Sequence, residues 1–216
     1  GNNCGGCGFP GCDGLAAAIA AGTAPVNGCP VGGAPVADKI AAIMGVESGS
    51  SEKKVAFVKC KGTCDKTNVK YNYYGITDCS MVTVAPGSGE KACAYGCMGY
   101  GSCVKACQFD AIHVVDGVAV VDKEKCVACG KCVATCPKGL IELVPYKAEH
   151  LVQCSSYDKG PAVKKVCTAG CIGCTLCTKQ CEFDAIHMEN NVAVIDYEKC
   201  TNCGKCAAKC PAKVIQ

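Results

Sequence analysis

Arginine is absent: all 22 basic residues are lysine. Without the planar guanidinium fork, bidentate recognition of phosphates or base edges is not expected, which argues against a nucleic-acid partner. Also absent is any apolar run approaching the about 18 or more residues that a membrane-spanning helix needs. No charged and apolar leader opens the sequence, so secretion, and with it a disulfide scaffold, is not expected. A phosphate-binding glycine fingerprint is missing too: GSGEK, Gly87 to Lys91, matches neither a dinucleotide-binding turn nor a P-loop and reads as a plain turn.

What is abundant is cysteine, 25 of 216 residues, a share that ordinarily signals a disulfide scaffold or a metal protein. The odd count and the recurring CxxC pairs speak against disulfides. Zinc sites also use CxxC pairs, but they do not call for three-Cys runs followed by a distant partner. The decisive stretch is CVACGKCVATCP, Cys126 to Pro137, which returns as CTNCGKCAAKCP, Cys200 to Pro211. Three cysteines at intervals of three, then a fourth and a proline, is the run whose last Cys ligates the neighbouring cluster of a two-cluster ferredoxin. A short loop folded over a cubane aims three thiolates at three irons, and the fourth side chain faces away. The formal charge of +3 is therefore misleading. Six clusters at about −2 each, thiolates included, would bring the chain near −9.

Cys93, Cys97, Cys103, Cys107, Cys126, Cys129, Cys132 and Cys136 recur 74 residues later as Cys167, Cys171, Cys177, Cys181, Cys200, Cys203, Cys206 and Cys210. FDAIHVVDGVAVVDKEKC, from Phe109, is echoed by FDAIHMENNVAVIDYEKC, from Phe183. Each echo predicts a β-hairpin, turning at Asp116-Gly117 or at Glu189 to Asn191. A gapless repeat of this length implies duplicated domains. The expected fold class is α+β: small iron–sulfur modules ending in two tandem two-[4Fe-4S] ferredoxin-like domains, residues 93–146 and 147–216. Ahead of them stand an N-terminal [4Fe-4S] domain, 1–47, and a Cys-rich linking module, 52–92. The first carries Cys4, Cys7, Cys12 and Cys29 with helices near Leu15 to Ala21 and Ala34 to Met44; Gly45 to Ser51 reads as a linker. The linking module opens on a strand, Val55 to Val58. Its lysines, Lys53, Lys54, Lys59, Lys61, Lys66 and Lys70, read either as a docking face for an acidic partner or as a solvated surface. His113 and His187 are expected to pack or lie at the surface, and Asp110 and Asp184 to cap turns.

The second ferredoxin unit has a complete ligand set, Cys171, Cys174 and Cys177 with Cys210, and Cys200, Cys203 and Cys206 with Cys181. The first unit has Cys126, Cys129 and Cys132 with Cys107, but Tyr100 stands where the copy has Cys174. Only Cys97, Cys103 and Cys136 remain for its other cluster. Cys93 would complete either that site or a set made by Cys60, Cys64 and Cys79. Cys79 and Cys93 are spaced nearly as Cys154 and Cys167 are, which favours Cys60, Cys64, Cys79 and Cys93 as one [4Fe-4S] site. Cys97, Cys103 and Cys136 are then left as a [3Fe-4S] site or one with a non-Cys ligand, about six clusters in all. Cys154 and Cys167 remain as free thiols or a remnant pair.

NCGGCGFPGCDG and VNGCPVGG, followed by tandem ferredoxin folds and the inserted CKGTC, resemble the B subunit of the Rnf complex in its long form from anaerobes. The resemblance covers essentially the whole chain. It implies a cytoplasmic-face component of an ion-translocating ferredoxin:NAD+ oxidoreductase. Such a component takes electrons from reduced ferredoxin and passes them to the other membrane subunits, held by an anchor upstream of Gly1. NAD+ reduction and Na+ or H+ export would belong to those partners. The C-terminal ferredoxin domain is expected to receive electrons. The rival readings are a free soluble polyferredoxin, an enzyme whose reactive cluster sits beside Tyr100, and a purely structural metal protein.

Overall fold

The first helix, α1 (Cys12–Ala20), is built on alanines around two apolar anchors one turn apart, Leu15 and Ile19, which are its buried residues. The second, α2 (Gly33–Met44), buries only Ala37 and Ala41 and ends at Gly45, whose φ of 67° suits the left-handed C-cap that glycine adopts at no steric cost. These elements belong to a computed structural model that describes residues 1–49 and 52–216, so the predicted linker from Gly45 extends at Ser50 and Ser51 outside the described residues.

Strand β1 (Lys54–Val58) is apolar on both faces, with Val55, Ala56 and Val58 buried. Its partner is 87 residues further on: β4 (Ile141–Pro145) runs antiparallel to it, Val58 opposite Ile141 and Lys54 opposite Pro145. The segment predicted as a separate linking module thus donates its strand to the first ferredoxin unit. The remainder of that segment holds a one-turn helix, α3 (Cys79–Val82), capped by Asp78, whose side chain accepts the Ser80 N–H.

The duplicated part follows in order: α4 (Ser102–Ala106), β2 (Ile112–Val115), β3 (Val118–Val121) and α5 (Lys131–Thr135), then β4. After a connecting helix, α6 (Gly160–Val166), come α7 (Leu176–Gln180), β5 (Ile186–Glu189), β6 (Val192–Ile195) and α8 (Lys205–Ala208). Both hairpins form as the alternating apolar residues predict. Asp116-Gly117 turns the first at φ 47° and 76°, and Asn190-Asn191 the second at φ 46° and 67°, the two successive left-handed residues of a type I′ turn. In each unit the two short helices pack on one another. The apolar cores are thin. One centres on Val55, Ile112, Ile141 and Val144, a second on Val152, Ile186, Val192 and Val214, and a small third on Val82 and Met98, and cysteines are part of all three.

Candidate metal centres

Four cavities of equal volume, about 20 Å³, each present four cysteines. Two lie in the second ferredoxin unit and gather the predicted sets: Cys171, Cys174, Cys177 and Cys210 around one, Cys181, Cys200, Cys203 and Cys206 around the other. In the first unit the thiols of Cys126, Cys129 and Cys107 lie close enough to Cys132 to join burial in pushing its thiol up to about 11. Corresponding bonds support both units. Ala111 and Ala185 donate their N–H to Cys107 and Cys181 Sγ at 3.5 and 3.3 Å, and Leu140 and Val214 donate to Cys136 and Cys210 Sγ, both at 3.4 Å. Such bonds favour the thiolate, the form a metal ligand requires.

The other two cavities depart from the expected grouping. Cys79 does not join Cys60, Cys64 and Cys93; it lines a cavity with Cys97, Cys103 and Cys136. Burial first, then the neighbouring thiols of Cys97, Cys79 and Cys136, push the Cys103 thiol up to about 12. The three-cysteine site therefore has a fourth sulfur at hand, from the inserted segment, while Tyr100 stands where the second unit has Cys174. Cys79 is aimed by its N–H, which donates to Ser102 Oγ at 2.8 Å, while Ser102 Oγ donates to Asp78 Oδ2 at 2.9 Å. Tyr100 packs edge-on against Tyr73, ring centroids 5.7 Å apart.

Cys60 and Cys93 instead share a cavity with Cys154 and Cys167, the two expected as free thiols or a remnant pair. Cys64 is exposed and lies at the β2–β3 turn, where its N–H donates to Asp116 O at 2.9 Å. The register explains the regrouping. Lys59 N–H donates to Leu140 O and Gln153 N–H to Val214 O, both at 2.8 Å, and Val58 opposes Ile141 as Val152 opposes Ile215. Cys60 is thus the counterpart of Cys154, reached from the repeat by one long insertion. The signal lay in FVKC, Phe57 to Cys60, against LVQC, Leu151 to Cys154.

In the N-terminal module Cys7 sits in a glycine turn closed by Gly8 N–H donating to Gly5 O at 3.0 Å, Cys4 precedes that turn, Cys12 starts α1, and Cys29 Sγ accepts the Gly32 N–H at 3.3 Å. This module abuts the first ferredoxin unit so closely that a side-chain carbon on Gly6 would lie 2.7 Å from Cys129 Cβ. The lysines read either as a docking face or as a solvated surface are partly engaged within the chain. Lys59 pairs with Glu142 at 2.9 Å, Lys53 stands 3.8 Å over the Tyr146 ring, and Lys70 donates to Gly87 O. His113 is exposed and contacts the backbone carbonyl of Asp110. Among the described residues, no three His, Cys, Asp or Glu side chains converge on one point as ligands of a single ion would. The cysteines stand around cavities instead, which fits a polynuclear group whose metals each take one thiolate.

Repeated hairpin-and-helix units carrying cysteine tetrads, with N–H groups aimed at the sulfurs, define an iron–sulfur protein of the ferredoxin class. Three family models match it: "Putative Fe-S cluster" over residues 1–31, "4Fe-4S binding domain" over 119–142 and "4Fe-4S dicluster domain" over 170–215. Whole-chain relatives carry the identification further. The chain is 52% identical to the B subunit of the Na(+)-translocating ferredoxin:NAD(+) oxidoreductase complex of Acetobacterium woodii, matching along all of this chain and 65% of that protein. It is 47% identical to the B subunit of the ion-translocating oxidoreductase complex of Methanosarcina acetivorans, over all of this chain and 82% of that protein. A Clostridium ljungdahlii proton-translocating counterpart is 43% identical over 99% of this chain and 76% of its own length. The chain belongs to the family of B subunits of these Rnf-type oxidoreductase complexes and is an iron–sulfur electron-transfer protein. It spans just under two thirds of the Acetobacterium relative. Among the described residues no helix is long and apolar enough to cross a membrane.

Proposed function

We propose that this chain accepts electrons from reduced ferredoxin and hands them on to the other subunits of an Rnf-type membrane complex. In this reading the complex reduces NAD+ and couples that to Na+ or H+ translocation, and the chain works at the cytoplasmic face of the membrane. The observation that carries the proposal is the set of four cavities of equal size in the two ferredoxin units, each lined by four cysteines, with the cysteine-rich N-terminal module set against Cys129 of the first unit. When bound, a [4Fe-4S] cluster supplies reversible one-electron chemistry at a potential set by charge, hydrogen bonding and exposure within roughly −700 to +450 mV.

Every other part of the task falls to this chain's residues. We assign the ligand sets as Cys4, Cys7, Cys12 and Cys29; Cys107, Cys126, Cys129 and Cys132; Cys79, Cys97, Cys103 and Cys136; Cys171, Cys174, Cys177 and Cys210; and Cys181, Cys200, Cys203 and Cys206. The backbone N–H groups hold the thiolates' charge. Ile112, Ile186 and Val214, each under 4% exposed, help keep water out between the sites. The N-terminal module leans on Cys129, so electrons entering at the C-terminal ferredoxin unit would leave toward the N-terminal module. NAD+ and the translocated ion are assigned to partner subunits.

The test is rapid mixing of the anaerobically purified chain with reduced ferredoxin, following the visible absorbance of both. Electron uptake by the chain at micromolar ferredoxin, with no oxidation of NADH by the chain alone, is the expected result. No transfer from ferredoxin, while dithionite reduces the chain fully, would remove ferredoxin as the donor.

A further inference from the structure

We propose that the cavity between the two ferredoxin units is a further [4Fe-4S] site, ligated by Cys60, Cys93, Cys154 and Cys167. None of the matched family segments, 1–31, 119–142 and 170–215, contains any of these four residues. Their cavity nevertheless has the same volume, about 20 Å³, as those of the tetrads in the repeat.

Each of the four sulfurs has a donor aimed at it. Cys60 Sγ accepts from Gly62 N at 3.4 Å and Cys97 N at 3.3 Å, and Cys154 Sγ accepts from Cys171 N at 3.3 Å. Thr67 Oγ1 donates to Cys167 Sγ at 3.7 Å, and the Tyr95 and Gly96 N–H groups bond Cys93. Sulfurs meant only for packing need no such shell, whereas thiolates on a cluster are held by it. Two glycines form the walls. A side-chain carbon on Gly96 would come within 3.5 Å of Cys93 Sγ and 3.6 Å of Cys60 Sγ; on Gly62 it would come within 3.5 Å of Cys167 Sγ and 3.7 Å of Cys60 Sγ. Both carbonyls are tied back by lysines: Lys91 Nζ donates to Gly62 O at 3.0 Å and Lys138 Nζ to Gly96 O at 3.1 Å. Lys91 is only 8% exposed, and two ammonium groups beside the cavity suit a group that carries net negative charge.

The site is also pseudo-symmetric. Cys93 and Cys167 are repeat counterparts, and so are Cys60 and Cys154. Cys97 N–H reaches Cys60 just as Cys171 N–H reaches Cys154, both at 3.3 Å. Because Cys97 and Cys171 themselves line the neighbouring cavities, the site stands directly between the two units. It completes a single file of six sites and leaves Cys64 as the one cysteine outside a tetrad.

The inference rests on the electron-carrier reading only for the identity of the group. Its test is native mass spectrometry with iron and sulfide counts on the full chain, purified anaerobically, together with alkylation by iodoacetamide before unfolding. Six clusters, about 24 irons, and alkylation at Cys64 alone are expected. The double variant Cys154→Ala/Cys167→Ala should lose one cluster and no more, and Cys64→Ala none. Five clusters in the unaltered chain, with Cys154 and Cys167 alkylated or joined as a disulfide, would overturn the site and leave the proposed function standing. Loss of a cluster in Cys64→Ala would overturn it as well. Zinc in place of iron and sulfide would overturn both.

Discussion

In the proposed assignment Cys79 takes the part that Cys174 plays in the second unit, where the first unit has Tyr100. Gly99 and Gly101, at φ 82° and 74°, match Gly173 and Thr175 at 66° and 59°, so the loop at Tyr100 has the shape of the loop at Cys174. The cavity's fourth cysteine is instead the first residue of α3. Replacing Cys79 with Ala should leave a three-cysteine site and an oxidised [3Fe-4S] EPR signal that the unaltered protein lacks. Adding Tyr100→Cys to that variant should abolish the signal and restore the lost iron. Lys138 offers a second residue-scale prediction. Its ammonium, whose pKa burial lowers, lies near the thiols of Cys93, Cys97 and Cys60. Removing a positive charge disfavours the more negative, reduced state. Lys138→Met should therefore lower the nearest cluster's potential by about 50–100 mV, the size of one unit charge several ångströms away in a partly screened interior, read by EPR-monitored redox titration.

At the scale of elements, the difference between the two ferredoxin units is one insertion. Cys60 and Cys93 are 33 positions apart, Cys154 and Cys167 only 13. The extra residues carry Cys64 and Cys79 and stitch the halves together: Asn68 N–H donates to Val166 O at 3.0 Å and Thr168 N–H to Lys66 O at 2.9 Å. Tyr95 and Tyr157, ring centroids 5.3 Å apart, add an apolar contact across the same junction. The β2–β3 turn must lie against the loop before α4. Gly99 makes this possible, since a side-chain carbon there would sit 2.6 Å from Gly117 O, with φ at 82°. Gly99→Ala should destabilise the protein by at least about 1–3 kcal/mol, measured as a lower midpoint in anaerobic denaturant unfolding with the iron count followed in parallel.

For the whole molecule, the metal must do much of the work that a larger core does elsewhere. The three apolar clusters hold few large side chains, and cysteines sit within them. Burial pushes the thiols of Cys154 and Cys177 up to about 11 and that of Cys103 up to about 12. Without metal these groups are protonated at neutral pH, so ligation must release protons and apparent cluster affinity falls as pH falls. Chelation of iron under mildly oxidising conditions should therefore unfold the chain, seen as loss of far-ultraviolet circular dichroism, and more readily at pH 6 than at pH 8. Iron and sulfide should restore it. A native spectrum in the fully stripped protein would mean that the apolar cores suffice.

The sequence by itself determined the chemistry and most of the local structure. The cysteine runs, the 74-residue repeat, the two hairpins and the helices near Leu15 and Ala34 were all legible, because ligand spacing and hydrophobic period are local properties of the chain. The grouping of three cysteines within each run is legible for the same reason. The tertiary structure alone decided which distant thiols meet. Closeness in sequence groups Cys60 with Cys64, but the pairing of β1 with β4 carries Cys60 toward Cys154 and leaves Cys64 at a turn. Cys79 reached its cavity through a hydrogen bond to Ser102, 23 residues away. Contacts of that kind depend on strand register and on how an insertion folds back, and neither is encoded in the spacing of the cysteines themselves.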